Sequence, residues 1–155
     1  MPAASEPPAL PHTFRPFGVR VAVAVFGVLL FGSTLVIWFA FPANVRDQFT
    51  YFQRATVIAF GLAAAAAGYA LARSRVDART DGLTVVNGYR SRRLDWNEIV
   101  AVTLRAGSPW ALMDLADGTT VSVMGIQGSD GSRAVRQVKQ LRGIVEERTR
   151  TERND

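Results

Sequence analysis

Two long runs of apolar residues interrupt an otherwise mixed chain. Residues 21–41 (VAVAVFGVLLFGSTLVIWFAF) hold 21 positions without a charge, and residues 55–72 (ATVIAFGLAAAAAGYALA) hold 18. A hydrocarbon core of roughly 30 Å needs about 20 helical residues, so the first run predicts a membrane-spanning helix. Ser33 and Thr34 within it can return their hydroxyls to the backbone of the preceding turn. The run is too long for a cleaved secretory signal, and it ends in Trp38, Phe39, Phe41 and Pro42 rather than in small residues. The second run is less apolar. It predicts a second span because Arg73 and Arg75 close it and a strong span precedes it; the alternative is a buried helix of a soluble protein. Gly61, Ala65 and Gly68 put small residues on or near one face. Helix backbones approach closely there, either onto the first span or onto a second copy of the chain. The loop 42–54 between the runs is short, with Phe49, Tyr51 and Phe52 suited to the membrane interface.

Beyond residue 76 the texture changes to short β-like runs at 83–86, 89–94, 99–104, 110–115 and 119–124. Turn signals separate them: Asn87-Gly88, Ala106-Gly107-Ser108-Pro109 and Asp117-Gly118. A spacing of about ten residues with turns this short predicts an antiparallel meander, because a parallel crossover needs a longer connection. Between Ser132 and Thr149 the apolar positions are Ala134, Val135, Val138, Leu141, Ile144 and Val145. Their steps of three and four predict one amphipathic helix. Asp130 or Ser129 can cap its start. Arg133, Arg136, Arg142 and Arg148 fill its wet side. A short sheet cannot bury its apolar face alone, so the helix packs on it. The predicted organisation is a disordered Pro-rich tail (1–17), a two-helix transmembrane hairpin (18–76), a soluble domain (77–149) and a frayed tail (150–155).

Composition narrows the chemistry. The formal charge is +5, and lysine supplies one of the 18 basic residues. Residues 73–155 carry 14 Arg or Lys against 11 Asp or Glu, a net of +3. That is too mild for a nucleic-acid face. The chain has no cysteine, which excludes disulfides, thiolate metal sites and a cysteine nucleophile. Its one histidine, His12, lies in the Pro-rich tail. No Gly-rich phosphate motif is present. Asp114 with Asp117, and Asp95 with Glu98, are the only carboxylate pairs worth weighing. Each sits at a turn or strand entrance, where such residues serve backbone geometry. No nucleophile, base and orienting group come together, so no enzyme and no cofactor or metal is predicted.

The run DGLTVVNGYRSRRLDWNEIVAVTL resembles the opening of bacterial pleckstrin-homology-like (PH-like) domains: a strand, a turn, a basic strand, then Trp96-Asn97-Glu98-Ile99 leading into the next strand. The later run GSPWALMDLADGTTVSVMGIQ, followed by the helix, is similar to the actinobacterial branch that includes the low molecular weight protein antigen 6 group. The resemblance covers about residues 77–147. It implies an α+β PH-like roll closed by the helix, and relatives with one or two N-terminal membrane spans.

Within this frame Arg90, Arg92 and Arg93 are the candidate ligand or lipid-binding residues. On a strand, Arg90 and Arg92 share a face and Arg93 takes the other. Guanidiniums suit phosphate or carboxylate, which they grip bidentately; the alternative is a solvated edge strand charged against aggregation. Arg73, Arg75 and Arg79 follow the second span, where anionic headgroups and topology both favour them. Trp96 and Trp110 either pack between sheet and helix or present an aromatic anchor to a partner.

The functional expectation is a membrane-anchored, non-enzymatic PH-like module that engages a protein partner or another copy of itself. Direct recognition of anionic lipid, and a structural accessory subunit docked through residues 55–72, are the alternatives. Basic residues flanking the spans (Arg15 and Arg20; Arg73, Arg75 and Arg79) outnumber the two of the loop, Arg46 and Arg54. This bias places a multi-pass chain in the plasma membrane with both termini cytoplasmic. A reporter fused after Asp155 is expected to be active inside the cell; activity outside would reverse the assignment.

Overall fold

A computed structural model describes residues 8–152. The chain forms two compact units: Val19–Ala72, and a second built from the segments before Val19 and after Ala72.

The first unit is helical. Helix α1 (Gly18–Ala40) leads through a single turn, α2 (Ala43–Arg46), into α3 (Tyr51–Arg73). Both long helices have the length and apolar composition to cross a membrane. No residue of either is buried by the described chain, whereas the core helix of a soluble protein hides an apolar stripe. The small-residue face of α3 meets α1 of the same chain. A Cβ added at Gly68 would come within 3.1 Å of Val23, and one at Gly61 within 3.3 Å of Phe31. Ala65 is exposed and takes no part. The hydroxyls within α1 are satisfied internally, since Ser33 and Thr34 both donate to the carbonyl of Leu30.

The turn between the helices is fastened by one arginine and a reciprocal cap. Arg54 donates to the carbonyls of Phe49 (3.1 Å) and Arg46 (2.7 Å) and lies 5.4 Å over the Trp38 ring. Thr50 and Gln53 exchange hydrogen bonds, the N–H of each donating to the other's side chain. This arrangement satisfies backbone donors at the start of α3.

The second unit holds two antiparallel sheets and a helix. Strands β1 (His12–Phe14), β2 (Arg75–Arg79), β3 (Gly82–Asn87) and β4 (Arg90–Leu94) pair in sequence order. A short 3-10 turn, Trp96–Glu98, leads to the second sheet: β5 (Ile99–Thr103), β6 (Trp110–Leu115) and β7 (Thr120–Gln127). Helix α4 (Ser132–Glu152) follows. Alternation builds the core: Phe14, Val76, Ala78, Leu83, Val85 and Leu94 from the first sheet meet Val102, Ala111, Met113, Leu115 and Val123 from the second. Helix α4 closes it with Ala134, Val138, Leu141, Ile144 and Val145.

Two devices join the sheets. Asn87 donates from Nδ2 to the carbonyl of Ser122 and accepts from the N–H of Met124 at 3.0 Å. At Gly125, β7 passes β2 backbone to backbone; an added Cβ would lie 2.7 Å from the Arg75 carbonyl carbon.

Five expectations need correction. The tail read as disordered contributes a strand, because Phe14 points into the core and is 1% exposed; residues 1–7 lie outside the described region. The unit expected from residue 77 begins earlier, since Arg75-Val76-Asp77-Ala78-Arg79 alternates outward and inward as β2. Helix α4 runs through 150–152, past the expected frayed boundary; residues 153–155 are outside the described region. Within α4, Val135 is 50% exposed and leaves the apolar face, while Arg142 donates to the Val102 carbonyl instead of standing free in water. The first hairpin is also shifted by one residue. Asn87 pairs with Arg90, so the loop is Gly88-Tyr89, with Gly88 at φ +60°. This is the geometry of a two-residue turn led by glycine.

Phe14→Ala is expected to cost about 3–5 kcal/mol. Thermal unfolding of the detergent-solubilised chain followed by tryptophan fluorescence checks it, and an unchanged transition would remove β1 from the fold.

Candidate functional site

Among the described residues the basic strand β4 lies at the edge of its sheet and pairs only with β3. Arg90, Ser91, Arg92 and Arg93 are all exposed. Register places Arg92 beside Val85 and Arg90 beside Asn87, on the face that carries the core, but past its margin. Arg93 pairs with Thr84 on the opposite face. The three cations are not equivalent. Arg93 is bound to Asp81 at 2.7 Å. Arg92 approaches Asp117 at 3.8 Å, both side chains well exposed. Among the described residues Arg90 has neither an ion pair nor a side-chain hydrogen bond. The triplet therefore does not converge on one ligand. It lines an edge.

The carboxylates serve the backbone. Asp117 accepts from the hydroxyl and the N–H of Thr119 at 2.6 and 2.8 Å. Those bonds, with the Arg92 charge in a smaller role, hold its carboxyl below the usual carboxylate range. Asp114 accepts from Thr120 at 2.9 Å. Glu98 accepts the N–H of Asp95 at 2.8 Å and caps the 3-10 turn. No group of three His, Asp or Glu side chains suited to a metal ion occurs among the described residues.

The two tryptophans part company. Trp96 is 2% exposed and sits within the core cluster, so it cannot anchor a partner. Trp110 opens β6, where the inward positions are Ala111, Met113 and Leu115. Alternation turns Trp110 to the other face with Leu112 and Asp114, half-buried and away from the core. It does not pack between sheet and helix.

The basic residues after the second run are also separated. The Arg73 guanidinium lies 5.7 Å from the centroid of the Tyr89 ring. Arg75 and Arg79 project from the outer face of β2, on either side of Asp77. Arg75 binds Asp77 at 2.8 Å, and Thr13 donates to the other oxygen of Asp77 at 2.9 Å. Arg15 lines the same cleft as Thr13, Arg75 and Arg79. Sequence reading assigned Arg15 to a loose flank; only the β1–β2 register carries the signal.

Seven strands in two antiparallel sheets, closed by a C-terminal helix, define a PH-like domain. Residues 73–143 match the family model described as "Bacterial PH domain". The chain is 41% identical over 69 residues to the uncharacterized proteins Rv1417 of Mycobacterium tuberculosis and Mb1452 of Mycobacterium bovis. Each match covers 44% of this chain and 45% of the relative, so the chain spans less than half the length of the curated relatives it matches. No solved structure matches significantly.

Trp96→Ala is expected to cost about 3–5 kcal/mol, and Trp110→Ala about 1 kcal/mol. Paired melting curves of the two variants check this; equal losses would refute the separation of the two rings.

Proposed function

We propose that this protein is a membrane-anchored, non-enzymatic PH-like module that engages a protein partner at the cytoplasmic face. The observation that carries the reading is the open β4 edge. A strand bonded on one side offers a row of backbone donors and acceptors to an extended segment. Arg90 and Arg92 bias that edge toward an acidic segment and against like-charged ones. Trp110 and Leu112 add an apolar patch on the outer face of the second sheet.

Anchoring rests on α1 and α3, in which no residue is buried although the two helices touch each other. The β1–β2 pairing supports a shared side for the two segments that flank the helices. The chain leaves the sheet unit after Gly18 and re-enters it at Arg73, so both segments occupy one side of any bilayer that the helices cross. Direct lipid binding by Arg90, Arg92 and Arg93 is the weaker reading, because Arg93 is bound to Asp81 and faces away from the other two. The accessory-subunit reading through Gly61 and Gly68 is weaker too, since both glycines face α1 of the same chain.

A photo-crosslinking residue in place of Ser91, in the full chain in native membranes, is expected to give one discrete protein adduct. Arg90→Glu with Arg92→Glu is expected to abolish it, and raised salt to weaken it. An adduct that survives charge reversal, or none in the parent, would overturn the edge as the binding surface.

A further inference from the structure

Strand β3 ends in the dipeptide Asn87-Gly88. An asparagine followed by glycine is chemically labile in a free chain. The backbone nitrogen of the second residue attacks the side-chain carbonyl carbon of the first, and glycine has no side chain to shield that nitrogen. Asn44 and Asn97 are followed instead by Val45 and Glu98, whose side chains crowd the same position.

The fold restrains both reacting groups. The Asn87 side chain reaches the second sheet, where Nδ2 donates to the carbonyl of Ser122 and Oδ1 accepts the N–H of Met124 at 3.0 Å. The nucleophile is held from another side: the Gly88 N–H donates to Oγ of Ser74 at 3.0 Å. Ser74 lies between α3 and β2 and is 1% exposed, so water has little access to that bond. Asn87 is extended and paired with Arg90. Ring closure must turn its amide off β7 and draw the Gly88 nitrogen away from Ser74. All three hydrogen bonds are lost before the new carbon–nitrogen bond can form. Asn87 and Gly88 are only half-buried, so water and base reach them once those bonds open.

We propose that Asn87-Gly88 is a latent deamidation site, closed while the two sheets are joined and open when they part. The Gly88 nitrogen bonds to Cγ of Asn87. Its proton leaves with the Nδ2 group as ammonia, and a cyclic imide remains. Water then opens the imide and leaves a carboxylate at position 87, on either the normal or the β-linked backbone. An ionised carboxylate only accepts hydrogen bonds. It cannot donate to the Ser122 carbonyl, so the junction is not rebuilt and the parting of the sheets is recorded permanently. Ser74 is a positioning residue that holds the nucleophile back. The proposal rests on neither the membrane reading nor the β4 edge.

The test incubates the full chain in mild detergent at mildly alkaline pH and follows conversion at position 87 by peptide mass spectrometry. The folded chain is expected to convert about 100-fold more slowly than the urea-denatured chain, at about fivefold for each of the three hydrogen bonds. Ser74→Ala is expected to convert about fivefold faster than the folded wild type, and Ser74→Thr, which keeps the hydroxyl, at the wild-type rate. Conversion at Asn97 is the internal reference and is expected to stay unchanged in both variants. Equal rates in the folded and denatured wild type, or no acceleration in Ser74→Ala, would overturn the proposal. The wild-type comparison needs no variant, so a misfolded Ser74→Ala leaves the test intact. Asn87→Asp carries the same carboxylate as the product and is expected to lower the melting temperature by at least about 5 °C. Melting equal to wild type would overturn the loss of the junction.

Discussion

The pairing of three residues with a strand more than sixty positions later is the constraint on which the architecture depends. Strand β1 is short, and its hydrogen bonds to β2 would be marginal alone. Phe14 is what fixes it, because a buried phenylalanine contributes about 1.5–3 kcal/mol in removing its ring from water. The loop so closed is not a random coil. It is two helices packed through Gly61 and Gly68, so its ends are brought together by helix packing and little chain entropy is left to lose. Helix packing and sheet pairing therefore reinforce each other, although each unit has its own contacts.

What was legible from the residues follows the strength of the periodic signal. The apolar runs and the α4 stripe extend over three or more turns, and their existence and type read directly. Strands β3, β5 and β7 read from β-branched runs between turn residues, and β4 and β6 from their spacing between those turns. Strand β2 did not, because its outward positions are Arg75, Asp77 and Arg79, which look like a charged flank once a hydrophobic run has ended. The inward Val76 and Ala78 are two residues, too few to outweigh that impression. Strand β1 was hidden between Pro11 and Pro16 for the same reason, with Phe14 alone facing inward. The one-residue shift of the first hairpin has another cause. Asn87 looked like a turn residue, yet its amide is needed across the core by Ser122 and Met124.

Site residues were less legible than strands, since a net charge of +3 says nothing of placement. The structure sorts arginines that look alike in a sequence. Arg73 lies over an aromatic ring, Arg75 and Arg93 bind carboxylates, and Arg54 and Arg142 hold carbonyls. Arg15, Arg79 and Arg90 are among those left facing solvent. Such unpaired cations, not the total, are what a ligand would meet. Trp96 and Trp110 differ in the same way: alternation within a strand or entry into a turn decides which ring is core, and neither is visible in composition.

The charged edge of β4 also bears on how neighbouring copies would coexist. Confinement to a membrane plane raises local concentration and aligns molecules, so an open strand would find its own counterpart on the next copy far more often than in bulk solution. Two such edges meeting antiparallel would set arginine opposite arginine, which is unfavourable. Crowding in the plane would then leave the edges vacant instead of zipping the domains into ribbons. A carboxylate-bearing strand would meet no such repulsion, so lateral density would discriminate between self-pairing and capture without any change in the fold.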